Sequence, residues 1–321
     1  MILRTARSFW FRLLVTVVVL GVLVTRIDLP STVAALLRLR LPYALAVIAL
    51  VALDRGVMMG RWILLLRAGG QQVPAGPAAR VYLVSSFLGG FLPAGVGADV
   101  VRAYAWTQRT SQPGEAVASV AVDRLLGLLS LVVMGLFGLL VWAPELDDGL
   151  WEAWVAAALL GVAAAAALFW ADRGLRAAVS LSERAARPVT RLLHLGDALG
   201  RYRGHGRALT LVFALSIAVQ VLRIVQAYLL GVGIGIPVSL TAYLAFMPIG
   251  LLVLLLPVSI SGFGIPQGVI VWLLGPHGVP GPDAFALSTL IVLSGVLANL
   301  PGAWLWVRRR PADSTGDRGQ G

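Results

Sequence analysis

Phe91-Leu-Pro93-Ala-Gly95-Val-Gly97-Ala-Asp99-Val-Val-Arg102 is a helix-breaking run set inside an apolar chain. It follows residues 81–92, an apolar stretch too short to cross a bilayer, which takes about 20 residues. Pro93, Gly95 and Gly97 stand where a helix would break, and Asp99 and Arg102 come directly after them. Broken backbone at membrane depth survives only where protein or a water-filled cavity covers it. Such breaks, with charges beside them, mark where transporters hold their cargo.

The chain around this run is built for lipid. Hydrophobic residues make up 59% of it and charged residues only 13%, with a mean hydropathy of +0.87; soluble domains carry about 45–50% apolar residues. Apolar runs at 11–24, 41–53, 117–142, 153–170, 209–230, 240–256 and 284–307 approach or reach spanning length. The expected fold is therefore an all-α polytopic membrane protein. A net charge of +11 and a pI of 11.3 would suit nucleic acid. The basic residues, all 26 of them arginine, instead cluster in loops between apolar runs, so a nucleic-acid partner is excluded. There is no cysteine to supply a thiolate, and His194, His205 and His277 do not fall in a metal-ligand spacing, so no metal or cofactor is expected. No Walker loop, Ser-His-Asp order or His-Glu-x-x-His pattern is present. Without a nucleotide site, transport would be downhill or ion-coupled.

Arginine placement sets the topology. With a cytoplasmic N-terminus, segments 1–12, 61–80, 102–114, 171–208 and 308–318 hold twenty arginines inside. Arg26, Arg38 and Arg40 fall outside and run against the bias, while Arg55, Arg124 and Arg223 sit within apolar runs. The positive-inside rule then places both termini in the cytoplasm and the acidic turn Glu145-Leu-Asp147-Asp148 outside. Arg4, Arg7 and Arg12 before 13–24 look like the start of a signal peptide. The following Thr25-Arg26-Ile27-Asp28 is a poor cleavage context, so an uncleaved first span is expected. Six full spans are predicted, at 11–25, 42–60, 115–142, 151–170, 208–230 and 284–307. Two interrupted segments remain. One covers 81–106; the other covers 240–274 and is broken at Pro257-Val-Ser259-Ile-Ser261-Gly262-Phe-Gly264-Ile-Pro266. They enter from opposite sides, as re-entrant hairpins of an inverted repeat would. The plainer alternative makes 240–256 an ordinary span kinked at Pro248. All of 1–310 reads as one transmembrane domain, with 171–207 as a basic segment on the anionic inner leaflet and 311–321 as a disordered tail.

Four groups of residues carry a family resemblance. They are Arg61-Trp62 before Leu64-Leu65-Leu66, the run from Phe91 to Arg102 with Tyr104, Ser119-Val-Ala-Val-Asp123-Arg124, and Pro257-Val-Ser259 with Gly262-Phe-Gly264. In order and spacing this set resembles the lysylphosphatidylglycerol synthase transmembrane, or flippase-like, family, whose best-known member is the membrane half of the bacterial multiple peptide resistance factor. The resemblance runs over roughly 5–308. Two departures stand out: Ala98 replaces a glycine the family usually has before the aspartate, and the soluble aminoacyl-transferase domain that synthase members append is not expected here. The resemblance implies the flippase half alone, in the cytoplasmic membrane, with no synthase activity.

Arg102 and Arg124 are the arginines best suited to a lipid headgroup, because guanidinium offers a permanent charge and a forked donor set for phosphate. The breaks at 95–97 and 261–264 would add backbone N–H groups. Set against this, Asp99 with Arg102 and Asp123 with Arg124 could simply neutralise one another. Arg223 lies mid-span with Gln220 and Gln226 three residues to either side, on one helical face. It either lines a headgroup path or pairs with Asp54 or Asp99. Asp54 and Arg55 read as a pair to a neighbouring helix, with proton carriage by Asp54 as the alternative. Arg61 and Trp62 read as an interface anchor, and Asn299 as helix-packing glue.

Three functions compete at this point. The first is a flippase that moves a polar or anionic lipid headgroup (phospholipid, glycolipid or polyprenyl-linked). The second is a membrane transferase acting on a lipid-linked substrate, with Asp99 or Asp123 as base. The third is an accessory subunit of an envelope-lipid or glycosylation pathway. The opposed breaks favour the first, and no enzyme is expected. A membrane lipid would be the cargo; the protein partners left open are a second copy of the chain or a pathway enzyme.

Overall fold

The computed structural model describes residues 29–92, 97–142, 200–255 and 265–308. Among these every regular element is helical. The expected spans 11–25 and 151–170, the turn at 145–148, residues 171–199 and the tail lie outside the described residues. So do Pro93, Gly95, Pro257, Ser259, Ser261, Gly262 and Gly264.

In chain order the helices are α1 (Leu29–Leu37), α2 (Leu41–Ala68), α3 (Ala75–Gly89), α4 (Gly97–Thr107) and α5 (Pro113–Trp142). They continue as α6 (Gly206–Ile234), α7 (Leu240–Leu255), α8 (Ile265–Leu274), α9 (Gly281–Leu297) and α10 (Leu300–Val307). Four stretches are long and apolar enough to cross a membrane: Leu41–Ala68, Pro113–Gly138, Gly206–Ile234 and Gly281–Val307. They coincide with four of the six spans read from hydropathy. The last is not one continuous helix, because α9 ends at Leu297 with Ala298 as its C-cap, and α10 restarts after Asn299 with Pro301 in its first turn. A proline at that position gives up an N–H that has no intrahelical partner anyway.

The long helices α2 and α6 are antiparallel neighbours. At one end Arg40 N donates to Gly233 O at 3.1 Å, and at the other Tyr202 Oη donates to Leu65 O at 3.0 Å. Burial pushes the Tyr202 phenol above its ordinary pKa, which keeps it a donor. The Tyr202 end also gathers the Glu115–Arg201 ion pair and the bond from Trp106 Nε1 to Gln71 Oε1 at 2.6 Å. The Arg40 end carries the Arg38–Asp283 ion pair, which joins α1 to α9. The stretch between the expected spans 11–25 and 42–60 thus holds a helix, and its Arg38 has a carboxylate partner.

Within a bilayer, tails are as apolar as the side chains, so close packing must hold helices together. Glycine provides it at several helix crossings. A Cβ on Gly138 would strike the carbonyl of Leu244 on α7, and one on Gly302 would strike the carbonyl of Leu83 on α3. Gly302→Leu is expected to cost about 2 kcal/mol or more through overpacking, seen as a lower melting temperature in detergent; an unchanged melt would show that α10 can lift off freely. Leu45, Ile48, Phe137, Leu140 and Trp272 point outward, as lipid-facing residues should.

The interrupted segments are short helices. α3 has 15 residues and α4 has 11, and they run back to back, with Gly89 against Ala98. A Cβ on Gly97 would lie 2.8 Å from the carbonyl oxygen of Gly89. Ala98 fits this crossing only because residue 89 has no side chain. The pair therefore forms a helical hairpin on one side of the four-helix frame. α7, with Pro248 inside it, has 16 residues and packs with the ten-residue α8 in the main core.

Candidate functional site

The hairpin, α2, α5 and α6 bring their charges together. Asp123 on α5 accepts from two arginines of different helices. Arg61 Nε of α2 lies 2.7 Å from its Oδ1, and Arg102 Nη2 of α4 lies 3.1 Å from its Oδ2. Arg61 also donates to Ser216 Oγ at 2.8 Å and to the Asp123 carbonyl at 3.3 Å. Arg102 donates to Asp99 Oδ1 at 2.8 Å, and Arg124 Nη1 lies 3.4 Å from Asp99 Oδ2. Asp99 stands in the first turn of α4, where the helix dipole favours a carboxylate. Below these, the Arg102 guanidinium lies 5.2 Å from the Trp62 ring and 5.1 Å from the Tyr82 ring, close enough for cation–π attraction.

A second ion pair sits deeper in the frame, where Arg223 Nε of α6 meets Asp54 Oδ1 of α2 at 3.0 Å. Asp54 and Arg61 are seven residues apart on α2, and Ser216 and Arg223 are seven apart on α6. Two turns each place the two charged groups roughly 10 Å apart along the bundle. Gln220 lies between them and donates to Gly127 O at 3.4 Å and Ser130 Oγ at 3.3 Å.

Both groups line one cavity of about 570 Å³, within the usual range for ligand sites. Arg55, Arg61, Arg102, Arg124 and Arg223 face Asp54, Asp99 and Asp123 there, five positive charges against three negative, which leaves two positive charges in excess. The exposed apolar residues Phe91, Leu92, Val296 and Leu300 belong to the same lining. The cavity thus reaches the lipid-facing surface between the hairpin and the α9–α10 break. Several polar atoms buried in its wall have no hydrogen-bond partner among the described residues: Arg55 Nε, Arg102 Nε, Gln220 Oε1, Gln226 Nε2 and Asn299 Oδ1.

Of the residues singled out from sequence, Asp99, Arg102, Asp123, Arg124, Gln220 and Arg223 line this cavity together, and so does Gly97. Arg61 and Trp62 correct the sequence reading. They are 3% and 0% exposed, so they do not anchor an interface. Arg61 is committed to Asp123 and Ser216, and Trp62 Nε1 donates to Ser119 Oγ at 3.2 Å. Asp123 also pairs differently from its sequence neighbour: Arg61 and Arg102 hold it, while Arg124 turns to Asp99. Sequence reasoning missed Arg55 and Asn299 as lining residues; the helix break after Ala298, next to Pro301, was the available signal. Among the described residues no group of acidic or histidine side chains could hold a metal.

A family model described as "Lysylphosphatidylglycerol synthase TM region" matches residues 9–302. No curated protein matches the chain.

Proposed function

The chain belongs to the lysylphosphatidylglycerol synthase transmembrane-region family, which covers most of its length, and from that premise we propose that it is a lipid flippase. It moves an anionic headgroup across the cytoplasmic membrane while the acyl chains stay in lipid. The observation that carries this reading is the cavity with two positive charges in excess, walled by ion-paired arginines at two levels and edged by exposed apolar residues. Arginines at membrane depth are expensive and normally face an interior path. Phosphate would exchange with carboxylate as their partner, so the ion pairs hold the cavity's charge until cargo arrives.

The orientation of the path follows from the hairpins. In this reading α3–α4 enters from the cytoplasmic side and α7–α8 from outside, each re-entrant, beside six full spans with both termini inside. A headgroup passes from the Arg61–Asp123–Arg102–Asp99–Arg124 group to Arg223–Asp54, about 10 Å further. No enzymatic step is proposed. Asp99 and Asp123, the carboxylates a transferase would use as base, are held by arginines, which favours transport over transfer.

The test is reconstitution of the full chain into vesicles with acyl-labelled phosphatidylglycerol, with membrane-impermeant dithionite quenching the outer leaflet. Quenching well beyond the outer-leaflet half is expected; fluorescence stopping at the protein-free level would overturn the reading. Orientation has its own check in this cysteine-free chain. A cysteine at Ser182 should resist an impermeant maleimide on intact cells, and one at Asp147 should react. Labelling at Ser182 would reverse the topology.

A further inference from the structure

The cavity's charges say that it takes an anion, but not which anionic lipid. Its neutral groups are more specific. Gln220 gives its amide N–H to Gly127 and Ser130, which fixes its orientation and leaves Oε1 free as an acceptor. Gln226 Nε2 and Asn299 Oδ1, a donor and an acceptor, also lack partners among the described residues, and both residues belong to the cavity lining. Gln220 and Gln226 are 4% and 8% exposed, so bulk solvent does not satisfy them. A buried amide without a partner is costly, and native structures seldom leave one. Gly127 and Ser130 lie four and seven residues beyond Asp123 on α5, so the amide level begins roughly 6 to 10 Å from the arginine group. A headgroup with its phosphate on the arginines would put its next few atoms among these amides.

The matching chemistry is hydroxyl. A hydroxyl both donates and accepts, so it can satisfy Gln220 Oε1, Asn299 Oδ1 and Gln226 Nε2 in turn. An ammonium only donates, and it would want a carboxylate. Each of the three aspartates in the lining already holds an arginine: Asp54 with Arg223, Asp99 with Arg102 and Arg124, Asp123 with Arg61 and Arg102. The two excess positive charges would repel an ammonium as well. We infer that the site selects a lipid whose phosphate is followed by an uncharged, hydroxyl-bearing group, and that it rejects aminoacylated headgroups. Two sources share this chemistry: a glycerol-bearing phospholipid and a sugar carried on a polyprenyl phosphate. The inference rests on the cavity being a headgroup path.

The experiment compares headgroups of matched phosphate charge on the full chain in vesicles. Acyl-labelled phosphatidylglycerol is set against phosphatidylethanol, which has the same charge and no hydroxyl, and against lysylphosphatidylglycerol. A glucosylated polyprenyl phosphate forms the fourth arm. The glycerol- or sugar-bearing lipid should move at least about tenfold faster than phosphatidylethanol, the scale of one or two hydrogen bonds. The aminoacylated lipid should be slower still. Whichever hydroxylated lipid is faster identifies the source. Gln226→Leu and, separately, Asn299→Ala should pull the hydroxylated-to-phosphatidylethanol ratio toward one. Because the wild-type ratio needs no variant, poor folding of either would not spare the inference. Equal rates for phosphatidylglycerol, its sugar counterpart and phosphatidylethanol would overturn the selectivity and leave transport standing, as would faster movement of the aminoacylated lipid. If no anionic lipid moves, the flippase reading itself falls, and this inference with it.

Discussion

Asp123→Ala is expected to cost about 3–5 kcal/mol of stability, because it leaves Arg61 and Arg102 charged and buried with their shared partner gone. Both are nearly inaccessible, at 3% and 4% exposure, so water cannot replace the carboxylate. Asp99 still holds Arg102, and Ser216 still accepts from Arg61, which is why the protein should be weakened rather than unable to insert. Circular dichroism melts in detergent would read the loss. The double variant Arg61→Ala with Asp123→Ala should be less destabilised than the sum of the singles, since each change removes the other's unpaired charge. Additive losses would mean that the two side chains act independently and that the 2.7 Å contact contributes little.

Arg124→Ala should separate function from folding. Its side chain is 34% exposed, and its ion pair with Asp99 is the longest in the cluster at 3.4 Å. Removing it should leave the melt nearly unchanged while lowering anionic-lipid translocation by about ten- to hundredfold, the scale of a charge-assisted hydrogen bond lost in the moving state. Arg102→Ala should lower translocation and stability together, because that guanidinium bonds two aspartates and lies over two aromatic rings. Arg61→Ala, at a residue whose sequence position suggests an interface anchor, should resemble Arg102→Ala instead. Full transport by a well-folded Arg124→Ala would remove this residue from the headgroup path.

The long helices were legible because spanning length and apolar composition leave little choice of structure, and α2, α5, α6 and the α9–α10 unit all fall where hydropathy puts them. The extent of α2 was not. The reading stopped at residue 60, since the sequence turns charged at Arg61, yet the helix continues to Ala68 with Arg61 inside the protein. Whether an arginine near a helix end faces headgroups or a carboxylate depends on the rotation of neighbouring helices, which a single sequence does not contain. The same limit hid Asn299. By contrast, Gln220, Arg223 and Gln226 could be placed on one face from helical period alone, and all three line the cavity. α1 falls between the first two expected spans, where no helix was expected, and its packing on α9 is a tertiary matter.

The shared carboxylate of Asp123 has a consequence for how such a sequence can change over time. The motifs around residues 61 and 102 lie 62 and 21 positions from Asp123, and on paper all three are separate signatures. In space they are one object, since a single side chain satisfies both arginines. Replacing the aspartate takes a shared partner from both arginines, and replacing either arginine leaves the aspartate with one partner fewer, so drift at one position is filtered by the identity of the remaining two. A viable path away from this arrangement needs paired steps, and the first step is the damaging one. The three motifs should therefore be inherited or lost as a block, even in relatives whose lipid cargo and loops have diverged.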